Sequence, residues 1–197
     1  MRASLAAALQ AFPDEQQASG AALRLFQRTS NENVRRQLLF SLLESSWQDK
    51  DQILIEAFES GQGGVVAVAL AAIDKTSPQL LRDRVLKLAA TYAVGPPPLI
   101  DALGAVADDR ASGRLEKWFE REKNAAFRLK IVLALQNIAR NSLAARNSQA
   151  AQAIAKFIER ESNEDVMVYL VRAAGRLKIN DTQQTIINLA ESADIPL

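Results

Sequence analysis

Five stretches of this sequence fit one helical frame: Val34 to Leu43, Val65 to Asp74, Pro98 to Ala107, Phe127 to Gln136 and Val166 to Gly175. Four residues past each start the side chain is apolar, as Leu38, Ala69, Ala102, Ile131 and Leu170. Seven past it the side chain is small, as Ser41, Ala72, Ala105, Ala134 and Ala173, and the next is apolar again, as Leu42, Ile73, Val106, Leu135 and Ala174. These offsets share one face of an α-helix, and a small residue on that face admits a second helix at close range. The frame therefore predicts a repeated helix that packs the same way each time, with Ala105 and Ala134 at helix crossings.

Another helical stretch precedes each of these. In four cases it carries a Phe, at Phe26, Phe58, Phe119 and Phe157, seven to nine residues before the next start. Caps and breakers fall between the stretches: Asn31-Glu32-Asn33, Gly61 to Gly64, Ser77-Pro78, Gly95-Pro96-Pro97, Ser112-Gly113 and Asn163-Glu164-Asp165. The unit is a helix pair, and pairs are expected near 15–45, 50–74, 78–107, 112–140 and 148–178, with flanking helices near 3–11 and 181–192. Composition agrees: 34 Ala and 25 Leu stand against 8 Gly and 6 Pro, and only 6% of residues are aromatic, which favours helices over strands. The fold class expected is all-α, in a single domain over 1–197.

The frame resembles the second helix of HEAT repeats, including the bacterial HEAT-like repeats of the PBS-lyase type. That pattern reads Val-Arg, two residues, Ala, two residues, Ala-Leu, often then Gly. Val34-Arg35 with Leu38, Ser41 and Leu42 carry it, as do Phe127-Arg128 with Ile131, Ala134 and Leu135, and Val166 with Leu170, Ala173, Ala174 and Gly175. The family's Arg stands here only as Arg35 and Arg128, and its Asp before the Val only as Asp165. The resemblance implies a right-handed α-α superhelix, a HEAT-like solenoid of about five helix pairs plus terminal helices, whose work is to bind other macromolecules. Tetratricopeptide repeats fit less well, since their Trp, Gly and Tyr signature is missing.

Cys and His are both absent, which removes disulfide frameworks, thiolate and imidazole metal sites and His-dependent catalytic triads. No cofactor motif is present: Gly61-Gln62-Gly63-Gly64 follows a helix and lacks the Lys-Ser/Thr of a phosphate-binding loop, so it reads as a turn. Asp101 and Asp108 lie two turns apart, about 10.5 Å along a helix, loose for paired catalytic carboxylates. No enzyme activity and no metal are expected. No apolar run approaches the roughly 18 residues of a membrane span. The segment Met1 to Leu9 reads as helix in preference to a targeting signal, so a cytoplasmic location is expected.

On the second helices only offsets 3 and 10 form a polar ridge. Gln37, Asp101, Asp108, Lys130, Tyr169 and Arg176, with Arg172 one turn from Arg176, are the expected partner-binding residues along a concave surface. Their order predicts an acidic centre at Asp101 and Asp108 and a basic end at Lys130, Arg172 and Arg176, matched by a helical or extended protein segment with basic residues near its middle. The rest of each helix is apolar nearly all round, through burial by stacked neighbours or because it lines a groove. The alternative is a nucleic-acid-binding or base-repair protein resembling the HEAT-like DNA glycosylases. It draws on the acid-free segment between Glu122 and Glu159, with Lys123, Arg128, Lys130, Arg140, Arg146 and Lys156. Pairing with the flanking acids accounts for those charges equally well. Trp47 and Trp118 read as structural.

Overall fold

The computed structural model describes residues 15–45, 47–143 and 148–192, and all regular structure among them is helical. Eleven α-helices follow in order: α1 Glu15–Arg28, α2 Glu32–Glu44, α3 Lys50–Glu59, α4 Gly63–Ala71, α5 Gln79–Thr91, α6 Pro97–Val106, α7 Ser112–Arg121, α8 Ala125–Asn141, α9 Gln149–Ile158, α10 Glu164–Leu177 and α11 Gln183–Ser192. Short 3-10 turns at Asp109–Ala111 and Asn180–Thr182 lead into α7 and α11. The helix expected near 3–11 lies outside the described residues.

Local chemistry explains where these helices begin. Asn31, Asn124 and Asn163 each stand three residues before a frame start, and their side chains accept from the backbone N–H groups of Val34, Phe127 and Val166 at 3.2, 3.3 and 3.1 Å. Ser148 does the same for Ala151 at the start of α9. Each satisfies an otherwise orphaned first-turn donor. Gly61 has φ +67°, in the left-handed region, so the glycine loop is the tight turn between α3 and α4. Two helices end on left-handed residues other than glycine, Ala107 after α6 and Lys178 after α10.

By contact the chain divides into two compact units. The first runs to Ile73 and takes in Ser77–Arg84; the second holds Asp74–Thr76 and the residues from Val85 on. In the first unit α1 packs on α2, α3 on α4, and α2 on both α3 and α4. Phe26, Leu39, Leu42, Ile53, Ala57 and Val65 are fully buried at its centre. Arg35 lies 4.6 Å from the Phe26 ring centroid and donates to Gln62 Oε1 at 3.3 Å, tying α2 to the cap of α4.

In the second unit α6, α8 and α10 form one row of successive contacts, while α7 and α9 pack on each other and on α8. Phe119 and Phe157 join α7 to α9 as stacked rings 3.8 Å apart. Trp118 is wholly buried, donates its ring N–H to the Tyr92 carbonyl at 3.3 Å, and lies where a Cβ on Gly95 would come to 2.3 Å. Trp118 is thus structural, and Gly95 is required by it.

The expected frame is corrected at two of its small residues. Ala72 lies just past the end of α4 and is exposed, so it is not on a packed face. In α8 the buried residues are Ile131, Val132, Ala134, Leu135, Gln136, Ile138 and Ala139. In α6 they are Leu99, Ile100, Ala102, Leu103, Gly104 and Val106, which match the first six of α8 in spacing only when the third frame starts at Gly95 instead of Pro98. Ala105 is then exposed, and the small residue on the packed face is Ala102. Ala134 does sit at a crossing: a Cβ on Gly104 would lie 2.9 Å from its Cα. The displaced start has a chemical origin. Residues 96 to 98 are all proline, which begin a helix readily but cannot lie within one, so α6 starts a turn late on its own repeat.

Candidate interaction surfaces

The expected ridge residues are not one continuous charged strip. Gln37 belongs to the first unit, where it lines a pocket of about 160 Å³ with Asn33, Arg36, Phe40 and Val68. Arg36, Phe40 and Val68 continue into an open groove of about 870 Å³ whose floor includes Leu43, Leu54 and Ala71. These come from α2, α3 and α4 of the first unit, and all but the buried Leu54 are half-buried or exposed. α4 contributes because it contains no charged residue at all.

The other six lie in the second unit. Lys130 on α8 donates to both carboxylate oxygens of Asp101 on α6, at 2.9 and 2.8 Å. Asp108 is not on the α6 face, because α6 ends at Val106 and the left-handed Ala107 turns the chain. Its carboxylate accepts from the Arg110 backbone N–H at 3.0 Å and pairs with the Arg110 guanidinium at 2.7 Å, capping the 3-10 turn. The expected acidic centre is therefore corrected on both counts, since one carboxylate is neutralised by the neighbouring helix and the other by its own turn. Tyr169 and Arg172 come together on α10, with the guanidinium 5.9 Å from the ring centroid, and Arg176 is exposed one turn further on.

Three residues of the basic segment are paired in the same way, while Lys123 and Arg140 are exposed. Arg128 pairs with Glu161 at 2.7 Å, Lys130 with Asp101 at 2.8 Å and Lys156 with Glu116 at 2.8 Å, while Arg146 lies outside the described residues. Asp109 has a structural task. Its carboxylate accepts from the backbone N–H groups of Gln149 and Ala150 at 3.2 Å each, so it caps α9 from forty residues upstream.

What the ridge leaves out is apolar. Leu133 on α8 is 44% exposed and Val168 on α10 is 47% exposed, beside Tyr169 at 40%. Leu133 stands at a position outside the ridge offsets, and a lone Leu in a Leu-rich helix gives no signal in sequence. Among the described residues no group of acids could hold a metal ion, and no helix is long and apolar enough to cross a membrane. Comparison with protein-family models, with curated proteins and with solved structures finds no match.

Proposed function

We propose that this chain is a HEAT-like repeat protein, its helix pairs stacked as in an α-solenoid, and that it works as a non-catalytic scaffold binding a protein partner on the outward faces of its second helices. The observation that carries the reading is the composition of that face in the second unit. Pro98 and Ala105 on α6, Leu133 on α8, and Val168 and Tyr169 on α10 are exposed and apolar; of the charges beside them Asp101 and Lys130 are paired, while Arg172 and Arg176 on α10 are exposed. Apolar exposure on successive helices, rimmed by polar groups, is the mark of a protein-binding face. The repeat reading is supported by the shared burial pattern of α6 and α8 and by the two rows of like helices in that unit. Duplex nucleic acid is the poorer fit, because Arg128, Lys130 and Lys156 are engaged with carboxylates.

The test is site-specific photo-crosslinking in cells, with the photoreactive residue placed at Leu133 in one protein and at exposed Lys117 on α7 in another. A discrete protein adduct from position 133 and none from 117 is the expected result. Equal labelling from both positions would overturn the placement, and a nucleic-acid adduct from 133 would overturn the partner class.

A further inference from the structure

Among the described residues α10 is the last helix of the row α6, α8, α10, and it keeps the surface that the two helices before it use to hold a neighbour. In α8 the buried arc runs from Ala134, against Gly104 of α6, round to Val132 and Gln136, which are buried on the side away from α6. In α6 the corresponding residues are Ile100 and Gly104, and both are buried. In α10 they are Val171 and Gly175. Val171 is half-buried, Gly175 is exposed, and a Cβ on Gly175 would meet no atom of the described residues within 4 Å. The rest of the arc, Leu170, Ala173, Ala174 and Leu177, is buried as in the other two helices. Gly175 thus occupies the position that Gly104 uses for close approach, with no described helix set against it.

The occupant is indicated by charge. Val168, Val171, Arg172, Gly175 and Arg176 lie at helical spacing on a single side of α10. Arg172 and Arg176 are both exposed, and neither is ion-paired to another described residue. Within the row each stacking contact carries an ion pair between neighbours: Asp101 with Lys130 from α6 to α8, and Arg128 with Glu161 from α8 to the loop before α10. A second copy of the chain using the same face would set Arg172 and Arg176 against themselves, and like charges at an interface are repulsive. We infer that the open side of α10 at Val168, Val171 and Gly175 is a docking edge for one acidic amphipathic helix of a partner protein. That helix would place a small residue over Gly175, as Ala134 lies over Gly104, and carboxylates one turn apart against Arg172 and Arg176. The inference rests on the reading of the helix pairs as stacked repeats.

Two fluorescein-labelled, hydrocarbon-stapled helical peptides serve as probes. Both carry an Ala and Leu face; one is flanked by Glu residues four apart and the other by Lys at the same places. Fluorescence anisotropy with the full chain should show the Glu peptide binding at least ten-fold more tightly than the Lys peptide. Gly175→Leu, which fills the crossing from an exposed helical position, should weaken the Glu peptide at least ten-fold. The Arg172→Glu/Arg176→Glu double variant should reverse the preference. Helicity by circular dichroism accompanies each variant, and the charge reversal stands as an independent arm if Gly175→Leu perturbs α10. Equal affinity for the two peptides, or no effect of either variant, overturns the edge. Self-association in sedimentation that Gly175→Leu abolishes assigns the edge to a second copy and overturns the acidic partner. Crosslinking from Leu133 reports on the α8 face, so a failure here and a failure of the scaffold reading are told apart.

Discussion

Arg128 donates to the carboxylate of Glu161, thirty-three residues further along the chain, at 3.0 Å, while its guanidinium lies 4.2 Å from the Phe119 ring centroid. The Glu161 side chain is fully buried, and the same oxygen accepts from the backbone N–H groups of Ser162 and Asn163 at 2.9 and 2.8 Å. One carboxylate therefore fixes the loop ahead of α10 and neutralises an arginine held by the previous pair. Arg35, Phe26 and Gln62 repeat the arrangement in the first unit with a neutral amide in place of the carboxylate.

Glu161→Ala should destabilise the protein by about 2–4 kcal/mol, because it strips a partly buried guanidinium of its counter-charge and orphans two backbone donors. Gln62→Ala should cost about 1 kcal/mol, because the acceptor it removes from Arg35 is an uncharged amide at 3.3 Å in a more open site. Urea denaturation of the two variants beside the wild type checks the order; equal losses would mean that the carboxylate has no part beyond that of an amide.

The crossing of α6 and α8 decides between the two placements of the third frame. Ala105 is exposed, so Ala105→Leu should change stability by less than about 0.5 kcal/mol. Ala102 and Ala134 are buried, and Ala102→Leu or Ala134→Leu should overpack the core at a cost of roughly 1–3 kcal/mol. Gly104→Ala should be costly too, because its new methyl meets Ala134 backbone at 2.9 Å, which cannot swing aside as a side-chain tip can. Thermal melts of the four variants would restore the original frame if Ala105→Leu proved the most damaging.

The helices were legible because their ends are written locally: an Asn three residues ahead of the apolar face, a glycine turn, or a proline run each fixes a boundary without help from the rest of the chain. The face that a helix buries is legible only where the helix begins in phase with its repeat. Three consecutive prolines make α6 begin late, so periodicity alone put Ala105 where Ala102 packs. The candidate surface was legible in its residues and not in its charge. Whether Lys130 is a free cation depends on Asp101, a helix and a loop away, and whether Asp108 lies on a ridge depends on the left-handed turn at Ala107. Leu133 gave no sign, and Gly175 was legible only as the glycine that ends the repeat pattern, since an exposed Leu and the open side of a helical Gly become informative only once their neighbours are placed.

Asp109→Ala should cost about 1–2 kcal/mol, as loss of a side-chain cap on two backbone donors does. The damage should be local to α9, because the carboxylate meets Gln149 and Ala150 there, while its third contact is the Ser112 hydroxyl at 2.9 Å. Hydrogen exchange should show faster exchange at the start of α9 in the variant, with α6 and α8 unchanged. Faster exchange spread evenly over the second unit would mean that the contact is not a cap.

Asp101 and Lys130 form an exposed pair, with side chains 56% and 39% accessible, so the pair adds little to stability, roughly 0.2–1 kcal/mol. Its effect on binding is expected to be larger, because it sets the charge beside Pro98 and Leu133 on the outward face. Asp101→Lys places two cations together and should melt slightly earlier, while the exchanged pair Asp101→Lys/Lys130→Asp should regain the wild-type melting temperature. If the face binds an apolar partner segment, the photo-crosslinked adduct from Leu133 should fall in Asp101→Lys and return in the exchanged pair, since the face is again neutral. An adduct that stays lost in the exchanged pair would show that the partner reads the order of the two charges and not their neutrality. An adduct unaffected by Asp101→Lys would place the partner away from α6 altogether.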